Sequence, residues 1–133
     1  MKVAFTTSDG TTIDEHFGAA RDFHVWEIGP GSAAFVGKVS AVASGDEEDR
    51  TAARANAISG CAIVYTVQIG GPAAAKLVAR RIHPMKTAGE VPVADAIRRL
   101  QEVLRGRPPP WLRKAMEEGE AGAAHATDEE ERR

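Results

Sequence analysis

The chain has 133 residues, a formal charge of −2 and 43% hydrophobic side chains, enough to bury the core of one domain built from several strands and helices. That balance gives no general attraction to nucleic acid or anionic lipid, and a single cysteine excludes both an intramolecular disulfide and a four-thiolate metal site within one chain. No run has the apolar length of a signal peptide or a membrane span, so a cytoplasmic protein is expected.

In chain order, residues 2–6 read as a short, partly buried strand, followed by a polar, glycine-bearing loop over residues 8–20. Residues 22–28 alternate, with Phe23 and Val25 on one face and His24, Trp26 and Ile28 on the other. A Gly-Pro-Gly-Ser turn at 29–32 leads to a partner strand at 34–39, which predicts an antiparallel hairpin at one side of the sheet. Residues 44–59 form an alanine-rich helix. Its acidic start (Asp46, Glu47, Glu48, Asp49) complements the helix dipole, and Gly60 closes it.

The chain is organised around the next stretch. Ile63, Val64, Tyr65 and Val67 have almost no polar relief, as in a strand covered on both faces. Gly70-Gly71 permits a tight turn, and Pro72 suits the first turn of a helix reaching about residue 81. A brief strand over 83–87 follows. Then Val93, Ala96, Ile97, Leu100, Val103 and Leu104 recur at three and four residues, giving an amphipathic helix between Pro92 and Gly106. Residues 108–116 are a rigid spacer and a short helix that pins Trp111 and Leu112 on the body. The expected fold is α/β, a three-layer α/β/α domain over residues 1–116 with a mixed sheet of about five strands. The acidic tail, 117–133, buries too little apolar surface to order itself.

In such sheets ligands sit beyond the carboxyl ends of the strands, and helix N-termini favour anions. The loop Asp14-Glu15-His16-Phe17-Gly18 leaves the first strand at that end. It faces the Gly70-Gly71 turn if the strands 2–6 and 62–67 are neighbours. His16 lies among polar residues and reads equally as a loop histidine without a task or as a metal or cluster ligand. His24 and His83 belong to strands, and His125 to the tail. Cys61 opens the strand whose other end borders the crevice, some 20–30 Å away at about 3.3 Å per residue, so it reads as a buried structural thiol. Asp9, Asp14 and Glu15 suggest a two-metal nuclease, but the strands lack the inward carboxylates to complete one. No nucleophile elbow, Walker sequence or dinucleotide fingerprint occurs. Binding is favoured over catalysis, and no enzyme activity is expected.

Residues 1–7, Asp14 to Gly18, Cys61 to Tyr65, Ile69 to Gly71, Ile82 to Lys86, Leu100 to Leu104 and Pro108 to Lys114 together resemble the dinitrogenase iron–molybdenum cofactor biosynthesis family. The resemblance covers residues 1–116, and nothing carries over to the tail. It implies a ribonuclease H-like fold without nuclease activity. It also implies a nitrogen-fixation carrier that receives the iron–sulfur precursor cluster made by NifB and passes it to the NifEN scaffold. The histidine of the family's His-Phe-Gly loop, a candidate cluster ligand, falls on His16, and Phe17, Gly18, Gly70 and Gly71 complete the expected site. Two rival readings stay open: a binding module for a small anion, and a nitrogenase-assembly protein that never touches the cluster. A homodimer sharing one cluster also stays open.

Overall fold

The computed structural model describes residues 1–118. Its main sheet has five strands in the order β4-β3-β1-β5-β6. These are β1 (Lys2–Thr6), β3 (Asp22–Gly29), β4 (Ser32–Ser40), β5 (Cys61–Thr66) and β6 (His83–Lys86). β1 lies in the middle, antiparallel to β3 and parallel to β5, and β6 continues the parallel half. β3 and β4 form the antiparallel hairpin expected at one side. β5 is interior, as its apolar run requires, although the middle position belongs to β1.

Period-two alternation sends successive side chains to opposite faces and so builds two cores. Val3, Phe5, Ile63 and Tyr65 meet α3 (Val93–Arg105) and Leu112 on one face. Ala4, Val64, Phe23 and Val25 meet α1 (Glu47–Ala57) and α2 (Gly71–Ala79) through Ala55, Ile58 and Leu77 on the other. Across the parallel ladder Phe5 stacks on Tyr65 with ring centroids 5.2 Å apart, a pairing worth about 0.5–1.5 kcal/mol beyond its buried area.

Four details differ from the sequence expectation. The loop after β1 contains a strand, β2 (Thr12–Ile13), which pairs with β7 (Val91–Pro92) just before α3. Ile13 anchors this ribbon, since it is fully buried against the α3 core, and Val93 N–H donates to the Thr11 carbonyl at 2.8 Å. α1 begins at Glu47 rather than residue 44, because Gly45 takes a left-handed φ of 101° and Asp46 caps the helix reciprocally with Asp49. Val103 is 42% exposed rather than part of the α3 core face. The last helix, residues 110–118, buries Leu112, but Trp111 is 37% exposed. It runs two residues past the expected domain end at 116, and the expectation of a disordered tail otherwise concerns residues 119–133, outside the described residues.

Candidate functional site

The carboxyl ends of β1 and β5 lie side by side, and the loops that follow them are tied together. Phe17 N–H donates to the Gln68 carbonyl at 2.9 Å, and His16 pairs with Gln68 in an isolated bridge. One residue earlier the Glu15 carbonyl accepts from Val67 N–H at 3.1 Å. It also lies 3.1 Å from the Thr6 hydroxyl and 3.0 Å from the Thr66 hydroxyl. Both threonines are fully buried. These polar ends of otherwise apolar strands lock the backbone on the N-terminal side of His16, while His16 itself stays exposed. Its position is fixed by its neighbours, and its imidazole is open to a ligand.

Phe17 starts a single 3-10 turn, Phe17–Ala19, and is buried against Phe23 with ring centroids 5.7 Å apart. It forms an inner wall of a cleft of about 600 Å³ together with Gly18, Gly70 and Pro72. The opposite wall comes from α1 and α2 and carries Asp46, Glu47, Glu48, Arg50, Arg54 and Lys76. Lys76 sits 3.9 Å from Glu48, and the Arg50 guanidinium donates to the Gly45 carbonyl at 2.7 Å. Arg54 Nε is buried with no hydrogen-bond partner among the described residues, and burial, then Arg50, lowers the Arg54 pKa. Sequence reasoning missed Arg50 and Arg54. Their spacing of four residues put them on one face of a recognisable helix, but nothing local said which way that face points.

The glycines of the turn are not there for strain. Gly70 takes φ −73° and ψ 154°, ordinary extended values, and an added Cβ would meet only Pro72 at 4.0 Å. A Cβ on Gly71 or Gly18 would meet nothing within 4 Å. The turn that Gly70-Gly71 permits is therefore made without left-handed backbone at either glycine. What the glycines leave is an open approach to the first turn of α2, whose initial N–H groups have no partner within the helix.

The acidic residues of the first loop hold the loop together. Asp9 accepts from the N–H groups of Thr11 at 2.9 Å and Thr12 at 3.0 Å, which lower its carboxyl to about 2. Asp14 accepts from the backbone and hydroxyl of Ser8. The Glu15 pKa is raised, first by burial and then by Asp14 and Asp22. Among the described residues no three His, Cys, Asp or Glu side chains are grouped to hold a metal ion.

Cys61 lies at the amino end of β5, beside Lys2 in the ladder, and is 5% exposed. Burial pushes its thiol up to about 11. His24 is half-buried on β3 with its ring 5.7 Å from Phe35. His83 opens β6 and stacks on Trp111 at 3.8 Å. Neither joins His16, and His125 lies outside the described residues.

Fold and site together define a three-layer α/β domain with a mixed-charge cleft at the carboxyl ends of its parallel strands. The family model described as dinitrogenase iron-molybdenum cofactor matches residues 1–103. Protein NifX of Herbaspirillum seropedicae is 46% identical over 125 residues, covering 90% of this chain and 84% of that protein. Protein NifY of Azotobacter vinelandii is 35% identical over 116 residues, 87% of this chain but 48% of that protein. The FeMo cofactor biosynthesis protein NifB of Bradyrhizobium diazoefficiens is 30% identical over 130 residues, 82% of this chain and 25% of that protein. The chain belongs to the dinitrogenase iron–molybdenum cofactor family. Its fold is also similar to the crystal structure of PH0822, with a TM-score of 0.60 and 22% identity over 77% of this chain and 90% of that one. No helix among the described residues is long and apolar enough to cross a membrane.

Proposed function

We propose that this protein acts in nitrogen fixation as a non-catalytic carrier of an iron–sulfur precursor cluster of the iron–molybdenum cofactor. In this reading it takes the cluster from NifB and delivers it to NifEN in the cytoplasm. The observation that carries the reading is the exposed His16, held by the Glu15 and Phe17 backbone beside a 600 Å³ cleft, in a chain of this family. Recurrence of the same domain in a quarter of a NifB protein supports a shared cargo.

The donor set suits a cargo rather than a resident group. An ordinary four-iron cluster held for good takes four protein thiolates, and this chain has one cysteine, buried away from the cleft. A preassembled cluster brings its own sulfides and needs less. His16 supplies one imidazole nitrogen ligand. The α2 N-terminus and the cations Arg50, Arg54 and Lys76 offset the negative charge of the cluster. The carboxylates of Asp46, Glu47 and Glu48 on the same wall limit that attraction. Modest affinity is what hand-over requires.

The test is anaerobic titration of the protein with the isolated NifB product, followed by iron counting, absorption and magnetic-resonance spectra. One cluster per chain, then released to NifEN, is the expected result. Half a cluster per chain would mean that two chains share it. Absence of bound iron would leave an assembly protein that never touches the cluster, and tight binding of small anions in its place would favour the anion module.

A further inference from the structure

The Pro108 to Lys114 segment has no part in the cleft, yet it shapes the β6 edge of the sheet. Trp111 lies flat on His83, with ring centroids 3.8 Å apart and planes 14° off parallel. It forms a wall shared by two apolar grooves. One, of about 260 Å³, is bordered by Val78, Ile82 and Ala115. The other, of about 450 Å³, is bordered by Met85, Leu100 and Val103. Val78 is 59% exposed, so it, Val103 and Trp111 are three of the chain's exposed large apolar side chains, gathered on one surface.

The charge on this surface is mostly positive. Arg81 and Lys114 line the smaller groove and Lys86 and Arg99 the larger. The only carboxylate among the described lining residues is Glu118, 3.7 Å from Arg81. In a chain with a formal charge of −2, this is a local concentration of positive charge around apolar hollows. Backbone pairing is not what the surface offers. The neighbouring edge strand β6 has four residues, and one of them, Pro84, has no N–H to donate. Side chains must do the docking.

We infer that the Trp111 surface is a docking site for an acidic peptide segment of a partner protein. Two of the segment's apolar or aromatic side chains would fill the grooves on either side of Trp111, while its carboxylates meet Lys86, Arg99 and Lys114. Tryptophan and arginine beside an apolar hollow are the composition of an interface hot spot, and the cations fix the sign of the partner. A phosphate backbone would satisfy the charge and leave both apolar grooves unfilled. The site lies apart from the cargo cleft, so a partner could hold the protein while His16 remains open.

A phage-displayed library of random 16-residue peptides, panned against the full chain, tests this directly. Selected peptides should be rich in Asp and Glu around two apolar or aromatic anchors. Measured by fluorescence anisotropy, their affinity should fall at least about tenfold with Trp111→Ala. It should fall comparably with Lys86→Glu combined with Arg99→Glu, two exposed positions where the core is untouched. His16→Ala should leave it unchanged. Circular dichroism would confirm that each variant folds. Neutral or basic selected peptides, no selection at all, or equal binding by both variants would overturn the proposal. A tenfold gain in affinity on deleting residues 119–133 would overturn it differently, by making the chain's own acidic tail the occupant.

Discussion

The two ends of the β1–β5 ladder are built from neighbouring residues of the same strands and have opposite chemistry. At the amino end, Cys61 is enclosed, its thiol pushed up to about 11 by burial. At the carboxyl end, Thr6 and Thr66 replace apolar residues, and their hydroxyls hold the Glu15 carbonyl while His16 stays in solvent. The contrast separates two uses of a soft or basic ligand atom. A buried thiol with a raised pKa is packing material. An exposed imidazole on a fixed backbone is a group presented to something else.

The largest effect that would break this comparison is on cargo. His16→Ala should weaken cluster binding more than about tenfold and change the absorption and magnetic-resonance signals, as loss of a direct ligand does. Cys61→Ala should leave both alone. A folded Cys61→Ala protein that cannot bind, beside a normal His16→Ala, would move the cluster to the other end of the sheet. Cys61→Ala should instead lower stability by ~1–2 kcal/mol in denaturant unfolding, and the native thiol should resist a thiol reagent that labels the unfolded chain at once.

Thr66→Val keeps the shape and removes the hydroxyl that meets the Glu15 and Gln68 carbonyls. A loss of about 1 kcal/mol is expected, together with faster amide exchange in residues 15–18. Unchanged exchange there would show that the threonines do not hold the loop. Gly71→Ala should leave stability within about 0.5 kcal/mol of the parent, since its Cβ would point into open space, but weaken cargo binding by crowding the α2 N-terminus. The smallest effect concerns pH. Asp9 titrates at about 2, below its ordinary 3.8, so its contribution is present above pH 4 and fades as pH falls from 4 to 2. The melting-temperature deficit of Asp9→Asn should therefore shrink over that interval, and a constant deficit would mean that the loop does not depend on the charge.

Much of the fold was legible because its signals are local. Alternation in residues 22–28 assigned Phe23 and Val25 to one core and Trp26 and Ile28 to the other, and both assignments hold. The apolar run Ile63 to Tyr65 announced a strand covered on both faces, and the three- and four-residue spacing announced α3. The loops after β1 and β5 are expected to face each other if those strands are neighbours; the strands pair, and the loops meet at His16 and Gln68.

What the sequence by itself determined was the order of the main-sheet strands and the helices, the two-sided burial of β5 and the membership of the family. The first two are carried by residues close in sequence, where backbone geometry sets the period, and the third by short motifs that need no contact with one another to be read. Only the tertiary structure decided that Arg50 and Arg54 turn toward Gly70, that Ile13 pairs its short strand with β7, and that Trp111 lies on His83 instead of within the core. Those contacts join residues tens of positions apart, and the alternatives differ in which face is covered rather than in any local preference. Packing two layers of helices on one sheet selects among them, because only one arrangement buries Ile13 and Leu112 with α3 while Leu77 and Ile58 close the other face.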